Sequence, residues 1–220
     1  MTPPLTRDEF AALTCVSRDT LARLDVYAGL LANWSARINL VATSTLADPW
    51  RRHFLDSAQL FPLIPAGAQD LIDLGSGAGF PGLTLATMGM PGVELVESDT
   101  RKCAFLREAA RVAAVPVTIH NRRIEAVPAR PFAVVTARGC AALDRLLAYS
   151  QRFIGPETVC LFPKGAQAGQ ELAVAQQQWE FDVTSYPSRT DPRGVVLCLN
   201  RVRPRERGRE RGGERLARAK

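Results

Sequence analysis

The chain has 220 residues, 46% hydrophobic and 23% charged, with 16 Gly and 15 Pro; this composition excludes a fibrous repeat or a wholly disordered polymer and suits one compact domain. Apolar runs such as 195–199 fall far short of the roughly 20 residues of a membrane helix, and no cationic segment followed by an apolar one opens the chain, so an unexported cytoplasmic protein without membrane attachment is expected. The net charge of +6 comes entirely from residues 201–220, which hold nine Arg or Lys against three Glu, whereas residues 1–200 hold 19 of each sign.

Residues 1–68 are expected to form an N-terminal helical segment packed on the core. Leu21, Leu24, Tyr27, Ala28, Leu31 and Trp34 recur at three- and four-residue steps, the spacing of one helix face, with Ser17 as N-cap. Asn39 and Pro49 mark irregular chain before a second helix over 50–62. From residue 69 the pattern changes to β-type runs at 71–74, 93–97, 117–120, 133–136, 159–162, 181–186 and 195–202, with helical stretches near 82–89, 101–114, 141–153 and 167–179. This alternation predicts an α/β domain over 69–202 built on a mostly parallel, doubly wound sheet of seven strands. Pro187, Asp191, Pro192 and Gly194 separate the last two runs without a helix, which predicts a C-terminal antiparallel hairpin. Residues 203–220 offer only Leu216 as a sizeable apolar side chain and are expected to form a basic, disordered tail. Such a polycation would add salt-sensitive affinity for RNA phosphates. A terminus that only aids solubility is the plainer alternative.

Cys15, Cys103, Cys140, Cys160 and Cys198 are widely spaced, with no Cys-x-x-Cys pair and only two histidines beside them, so reduced thiols and no metal site are expected. The sharpest local feature is Asp73-Leu74-Gly75-Ser76-Gly77-Ala78-Gly79-Phe80-Pro81-Gly82, directly after the first strand. Glycines there permit positive φ and let the backbone approach a ligand, while the following helix offers free N–H groups. Glu97 closes the next strand, 22 residues beyond Gly75, where a carboxylate can accept both hydroxyls of a ribose.

Two registers compete. Gly77 to Gly82 matches G-x-G-x-x-G, the dinucleotide fingerprint, which would make the chain a nicotinamide-dependent oxidoreductase. In that register the strand would have to run through Gly75. The other register, Asp-x-Gly-x-Gly-x-Gly from Asp73 to Gly79, resembles motif I of the Rossmann-like class I methyltransferases that use S-adenosylmethionine. There Asp73 would interact, directly or through water, with the amino-acid end and sulfonium of the donor, whereas it would repel a pyrophosphate.

Acceptor chemistry narrows the choice further. The place after the fourth strand reads Val135-Thr136-Ala137-Arg138-Gly139, without the Asn/Asp-Pro-Pro-aromatic string of exocyclic amine methylation, and no Pro-Cys supplies a nucleophile for cytosine C5. No metal-ligand cluster suggests phenolic O-methylation. Guanine N7 fits, because its lone pair is free and no proton leaves during attack; catalysis would then be orientation of donor and acceptor.

Asn39-Leu40, Arg52-His53-Phe54-Leu55-Asp56-Ser57, the 73–82 turn, Leu95-Val96-Glu97-Ser98, Lys102 to Glu108, Arg123-Ile124-Glu125, Thr136-Ala137-Arg138 and Lys164-Gly165 together resemble the RsmG (GidB, glucose-inhibited division protein B) family. The resemblance runs from about residue 20 to 200 in order and spacing. It implies methylation of N7 of a guanine in the 530 loop of 16S rRNA, with the small ribosomal subunit or its assembly precursor as partner. It also implies S-adenosylmethionine held by Asp73, Gly75, Gly77, Gly79 and Phe80, its ribose on Glu97 and its adenine beside Ile124 and Glu125. Arg138 would face both donor and reaction centre. Gly139 departs from the alanine usual after that arginine, and the arginine-rich tail lies outside the family pattern.

His53 and Asp56, three apart on a helix face, are expected to shape the site beside Arg138. Arg51, Arg52, Arg101, Lys102 and Lys164 are the candidate contacts to RNA, while Trp34, Trp50, Trp179, Cys103 and Cys140 read as packing residues. A monomer with no obligatory protein partner is expected. A non-catalytic RNA-binding assembly protein that keeps the cofactor fold remains a rival from another class.

Overall fold

A computed structural model describes residues 3–205. Two helices open the chain. In α1 (Arg7–Thr14), Thr6 and Glu9 form a reciprocal capping box, the Thr6 hydroxyl accepting from the Glu9 amide and the Glu9 carboxylate from the Thr6 amide. In α2 (Arg18–Ser35) the Ser17 hydroxyl accepts the Thr20 amide, and Leu21, Leu24, Tyr27 and Leu31 are buried along one face, as the spacing predicts. The helix expected over 50–62 is broken into a π-helical turn at Trp50–Leu55, a short α3 (Asp56–Ala58) and a 3-10 turn at Phe61–Leu63.

The sheet has seven strands: β1 (Leu71–Leu74), β2 (Val93–Glu97), β3 (Thr118–Asn121), β4 (Val134–Thr136), β5 (Val159–Lys164), β6 (Trp179–Pro187) and β7 (Val195–Pro204). Their order is β3-β2-β1-β4-β5-β7-β6. The first five run parallel, and β7 pairs antiparallel with both β5 and β6. Helices α4 (Gly82–Thr87), α5 (Thr100–Val112), α6 (Leu143–Ser150) and α7 (Ala168–Ala175) connect them. This is the Rossmann-like α/β class expected.

One apolar layer joins α2, α4 and α5 to the sheet through residues such as Tyr27, Leu83 and Phe105; the other packs α6 and the hairpin through Leu146, Phe162 and Leu199. Strand order reverses on either side of β1, so the loops leaving β1 and β4 diverge and open a crevice at the carboxyl edge. β7 runs two residues past the expected boundary at 202: Arg203 lies opposite Glu180 and bonds its carboxylate at 2.7 Å. Side-chain pairing with β6 holds this basic stretch in the sheet. The rest of the expected tail, 206–220, lies outside the described residues. Among the described residues no helix is long and apolar enough to cross a membrane, and no three His, Cys, Asp or Glu side chains gather as a metal site.

Candidate active site

The turn after β1 is held from behind. Asp73 is fully buried; its Oδ1 accepts the Thr136 hydroxyl at 2.8 Å and its Oδ2 the Gly82 amide at 3.2 Å, which ties β1 to β4 and to the start of α4. The carboxylate therefore shapes the turn from inside. It also occupies the N–H that a dinucleotide pyrophosphate would need at the helix start. The Tyr27 hydroxyl of α2 donates to the Ala78 carbonyl, and its ring stacks on Phe80 at 5.4 Å. Phe80 points into this aromatic cluster, with 3% exposure, so only its backbone is available to a ligand. Gly75, Gly77 and Gly79 adopt φ of 68°, 57° and 90°, a region that costs other residues about 1–2 kcal/mol.

Burial raises the Asp73 pKa from 3.8 to about 6. Between these values the folded chain holds a proton that the unfolded chain has lost, so this group favours folding more as pH falls through the window and less as pH rises through it. Relative to Asp73→Asn, the wild type should gain about 2 kcal/mol of stability in total on acidification from pH 6 to pH 4. Denaturant midpoints of the two proteins across that range check this; parallel curves would refute it.

Glu97, at the end of β2, accepts the Gly77 amide on Oε2 at 3.0 Å and the Asp99 amide on Oε1 at 2.8 Å. Beside it a cleft of about 170 Å³ is lined by Gly75, Glu97, Ile124, Glu125, Cys140 and Tyr149, among others. A larger cavity of about 610 Å³ lies on the other side of Cys140, which borders both. Cys140 Sγ packs so tightly on Gly75 that a Cβ there would approach it to 2.8 Å. Cys140 thus stands between the two spaces, packed on the glycine that lines the smaller one.

Arg138 is the hub of the larger cavity. Its Nη1 donates to Asp56 Oδ2 and to the Arg52 carbonyl, both at 3.0 Å, and its Nη2 contacts His53 Nδ1 at 3.1 Å. Its guanidinium lies 5.0 Å from the centre of the Phe80 ring. The His53 tautomer follows from this network. Arginine only donates, so Nδ1 accepts; the Thr45 hydroxyl gives its one proton to the Ala42 carbonyl at 2.6 Å, so Nε2–H donates to Thr45 at 2.8 Å. Burial, then Arg138 and Arg52, lower the His53 pKa from 6.5 to about 3. The ring is neutral at physiological pH and its basic nitrogen is engaged.

The expected RNA contacts divide. Arg52 is exposed at the cavity mouth, and Arg101 is exposed at the start of α5, where Asp99 supplies the N-cap for Arg101 and Lys102. Arg51 instead bonds Asp48 at 2.8 Å and the Pro3 carbonyl at 2.9 Å, a clamp on the N-terminal segment. Lys164 borders the cavity, but its ammonium is taken by Glu171 at 2.8 Å and the Ala141 carbonyl at 2.9 Å. Sequence reasoning missed Tyr27 as more than core, gave Thr136 no role beyond its motif and missed Thr45, Gln59 and Thr190; the partners of Tyr27, Thr136 and Thr190 and one of Gln59's are distant in sequence, whereas Thr45 meets His53 only eight residues on. Gly139 has φ of 62° with open space around it, so at this position an alanine would be strained by backbone conformation rather than by crowding.

The family model described as GidB, rRNA small subunit methyltransferase G, matches residues 20–194. A protein of Rhodospirillum centenum named Ribosomal RNA small subunit methyltransferase G is 53% identical over 203 residues, covering 92% of this chain and 94% of its own. One of the same name from Paramagnetospirillum magneticum is 55% identical over 195 residues, covering 89% and 95%. Among solved structures, a TehB-like SAM-dependent methyltransferase from Corynebacterium glutamicum superposes with a TM-score of 0.55 at 18% identity, covering 81% of this chain and 98% of that one, a likeness of fold.

Proposed function

Because the chain belongs to the GidB family of rRNA small subunit methyltransferases, we propose that it transfers the methyl group of S-adenosylmethionine to N7 of a guanine in the 530 loop of 16S rRNA, in the small ribosomal subunit or its assembly precursor. The observation that carries the choice of atom is that His53 and Asp56, the groups bonded to Arg138 that could act as a base, are both committed. His53 Nδ1 accepts from a cation, and the Asp56 carboxylate is shared by Arg138 and Thr190. Neither is free to remove a proton, and N7 has none to lose.

The cleft suits the donor by its chemistry. The Glu97 carboxylate has about four lone-pair positions, of which two hold backbone amides, leaving one on each oxygen for a ribose hydroxyl. Gly75 leaves backbone uncovered, and Ile124 and Glu125 would flank the adenine. When bound, S-adenosylmethionine supplies an electrophilic methyl on a sulfonium. Cys140, which borders both spaces, marks the side on which that methyl would face the larger cavity.

Arg138 orients the acceptor there. Two of its five N–H groups have no partner among the described residues and are available to a base acceptor such as guanine O6. Asp56 offsets its charge, so the site tolerates the cation formed on the base. In-line attack then depends on positioning. The test is transfer of labelled methyl to small subunits from a strain lacking this gene, followed by nuclease digestion and mass spectrometry of the rRNA. The expected product is 7-methylguanosine in the 530-loop fragment. Donor binding without transfer to any subunit form would favour the non-catalytic assembly reading, and absence of donor binding would remove the site itself.

A further inference from the structure

Asp56 does not serve Arg138 alone. Its Oδ1 accepts the Thr190 hydroxyl at 2.6 Å and the Gln59 side-chain amide at 3.0 Å, while the Gln59 carbonyl oxygen accepts the Arg189 amide at 2.9 Å. Gln59 is buried. Thr190 and Arg189 belong to the tip between β6 and β7, whose Ser188, Thr190, Asp191 and Gly194 form one wall of the larger cavity. Ser188 and Thr190 oxygens lie 3.1 Å apart. The Thr190 proton is spent on the carboxylate, so Ser188 donates to Thr190, and its own oxygen takes the Thr190 and Asp191 amides at 3.2 and 3.3 Å. A directed chain results, from Ser188 to Thr190 to Asp56, with Arg138 on the other carboxylate oxygen. The tip turns Thr190 inward to this chain and leaves Arg189 and Arg193 exposed on its outer side, the Arg189 guanidinium resting on the Leu13 carbonyl at 3.2 Å and that of Arg193 on Asp191 at 3.6 Å.

We propose that the 188–194 tip is the recognition wall for the acceptor RNA, and that Thr190 is a positioning residue through which contact of RNA phosphates with Arg189 and Arg193 sets the pose of Arg138. This rests on the rRNA methyltransferase reading above. Arg189 and Arg193 are long, charged and exposed, which suits backbone contacts that position without reading sequence. The Thr190–Asp56 hydrogen bond is the step from that surface to the guanidinium. Loss of the hydroxyl leaves Oδ1 with only the longer Gln59 amide bond at 3.0 Å, and Arg138 then shares a carboxylate held less firmly in one rotamer.

The experiment compares wild type, Thr190→Val and Thr190→Ser. Valine keeps the shape and removes the hydroxyl; serine restores it. With small subunits as acceptor, Thr190→Val should lower kcat about tenfold and raise KM, donor Kd should stay within about twofold, and Thr190→Ser should recover most of the loss. A readout independent of substrate is the 15N resonance of His53 Nδ1, which should move downfield in the valine variant as it loses the guanidinium donor, and return in the serine variant. Equal kcat in wild type and Thr190→Val, or an unmoved Nδ1 resonance, overturns the proposal. If the wild type itself transferred no methyl, the functional reading would fail, and the Nδ1 comparison alone would decide whether Thr190 positions Arg138.

Discussion

Arg138→Ala should lower methyl transfer on the order of 100-fold while changing donor affinity less than about threefold. The guanidinium borders the larger cavity, whereas the donor cleft on the far side of Cys140 keeps all its lining. Its removal also strips one partner each from Asp56, His53 and the Arg52 carbonyl. Asp56 retains Thr190 and Gln59, so the stability cost should stay near the 1–3 kcal/mol of an under-satisfied, half-buried polar group. Single-turnover transfer, calorimetric donor titration and a melting curve separate these effects. A loss of donor affinity as large as the loss of rate would place Arg138 in the wrong cavity.

The second large effect distinguishes two glycines of the same turn. Gly77→Asp should reduce donor affinity by more than about 100-fold, with a melting temperature lowered by only a few degrees. A Cβ at Gly77 meets nothing nearer than the Gly75 carbonyl at 3.9 Å, so the penalty to the fold is the positive φ, about 1–2 kcal/mol, or roughly 2–8 °C in a chain of this size. The new carboxylate would stand beside Glu97, whose own carboxylate accepts the Gly77 amide, and would repel it. Gly82→Ala should do the reverse. Its Cβ would lie 2.5 Å from Leu95 Cδ2 and 2.7 Å from Asp73 Cβ, inside a packed layer, and would force Asp73 off the Gly82 and Thr136 bonds. Overpacking of this kind costs about 1–3 kcal/mol before the lost hydrogen bonds are counted. Melting curves set beside donor titrations check the contrast; intact donor binding in Gly77→Asp would refute the placement of the cleft.

The sheet was legible because its signals are local. Short apolar runs, helical spacing between them and a glycine turn after the first run are each contained within a few residues, and strand limits moved by no more than three positions. The site was legible as a set of residue types but less so as a set of roles. Asp73, read as a donor contact, is enclosed because Thr136 approaches from 63 residues away. The Tyr27 hydroxyl reaches the turn across 51 residues and Thr190 reaches Asp56 across 134, separations at which no pattern in the chain announces a partner. Arg51 is different: its acid, Asp48, stands three residues before it, and that spacing was there to be used. So was Thr6-x-x-Glu9, the signature of the first helix.

The π-helical turn at Trp50–Leu55 makes the length of this segment matter apart from its side chains. Here the Asp56 amide reaches back to the Arg51 carbonyl, five residues away, so the turn holds one residue more than an α-helical one. Each residue of an α-helix advances the chain by about 100°. Deleting one residue between 50 and 55 would close the turn to α-helical spacing, and the Arg52 carbonyl, His53 and Asp56 would lose the offsets by which all three meet Arg138. A side-chain exchange along this stretch keeps those backbone offsets, whereas an insertion or deletion there would change the aim of Arg138 in a single step.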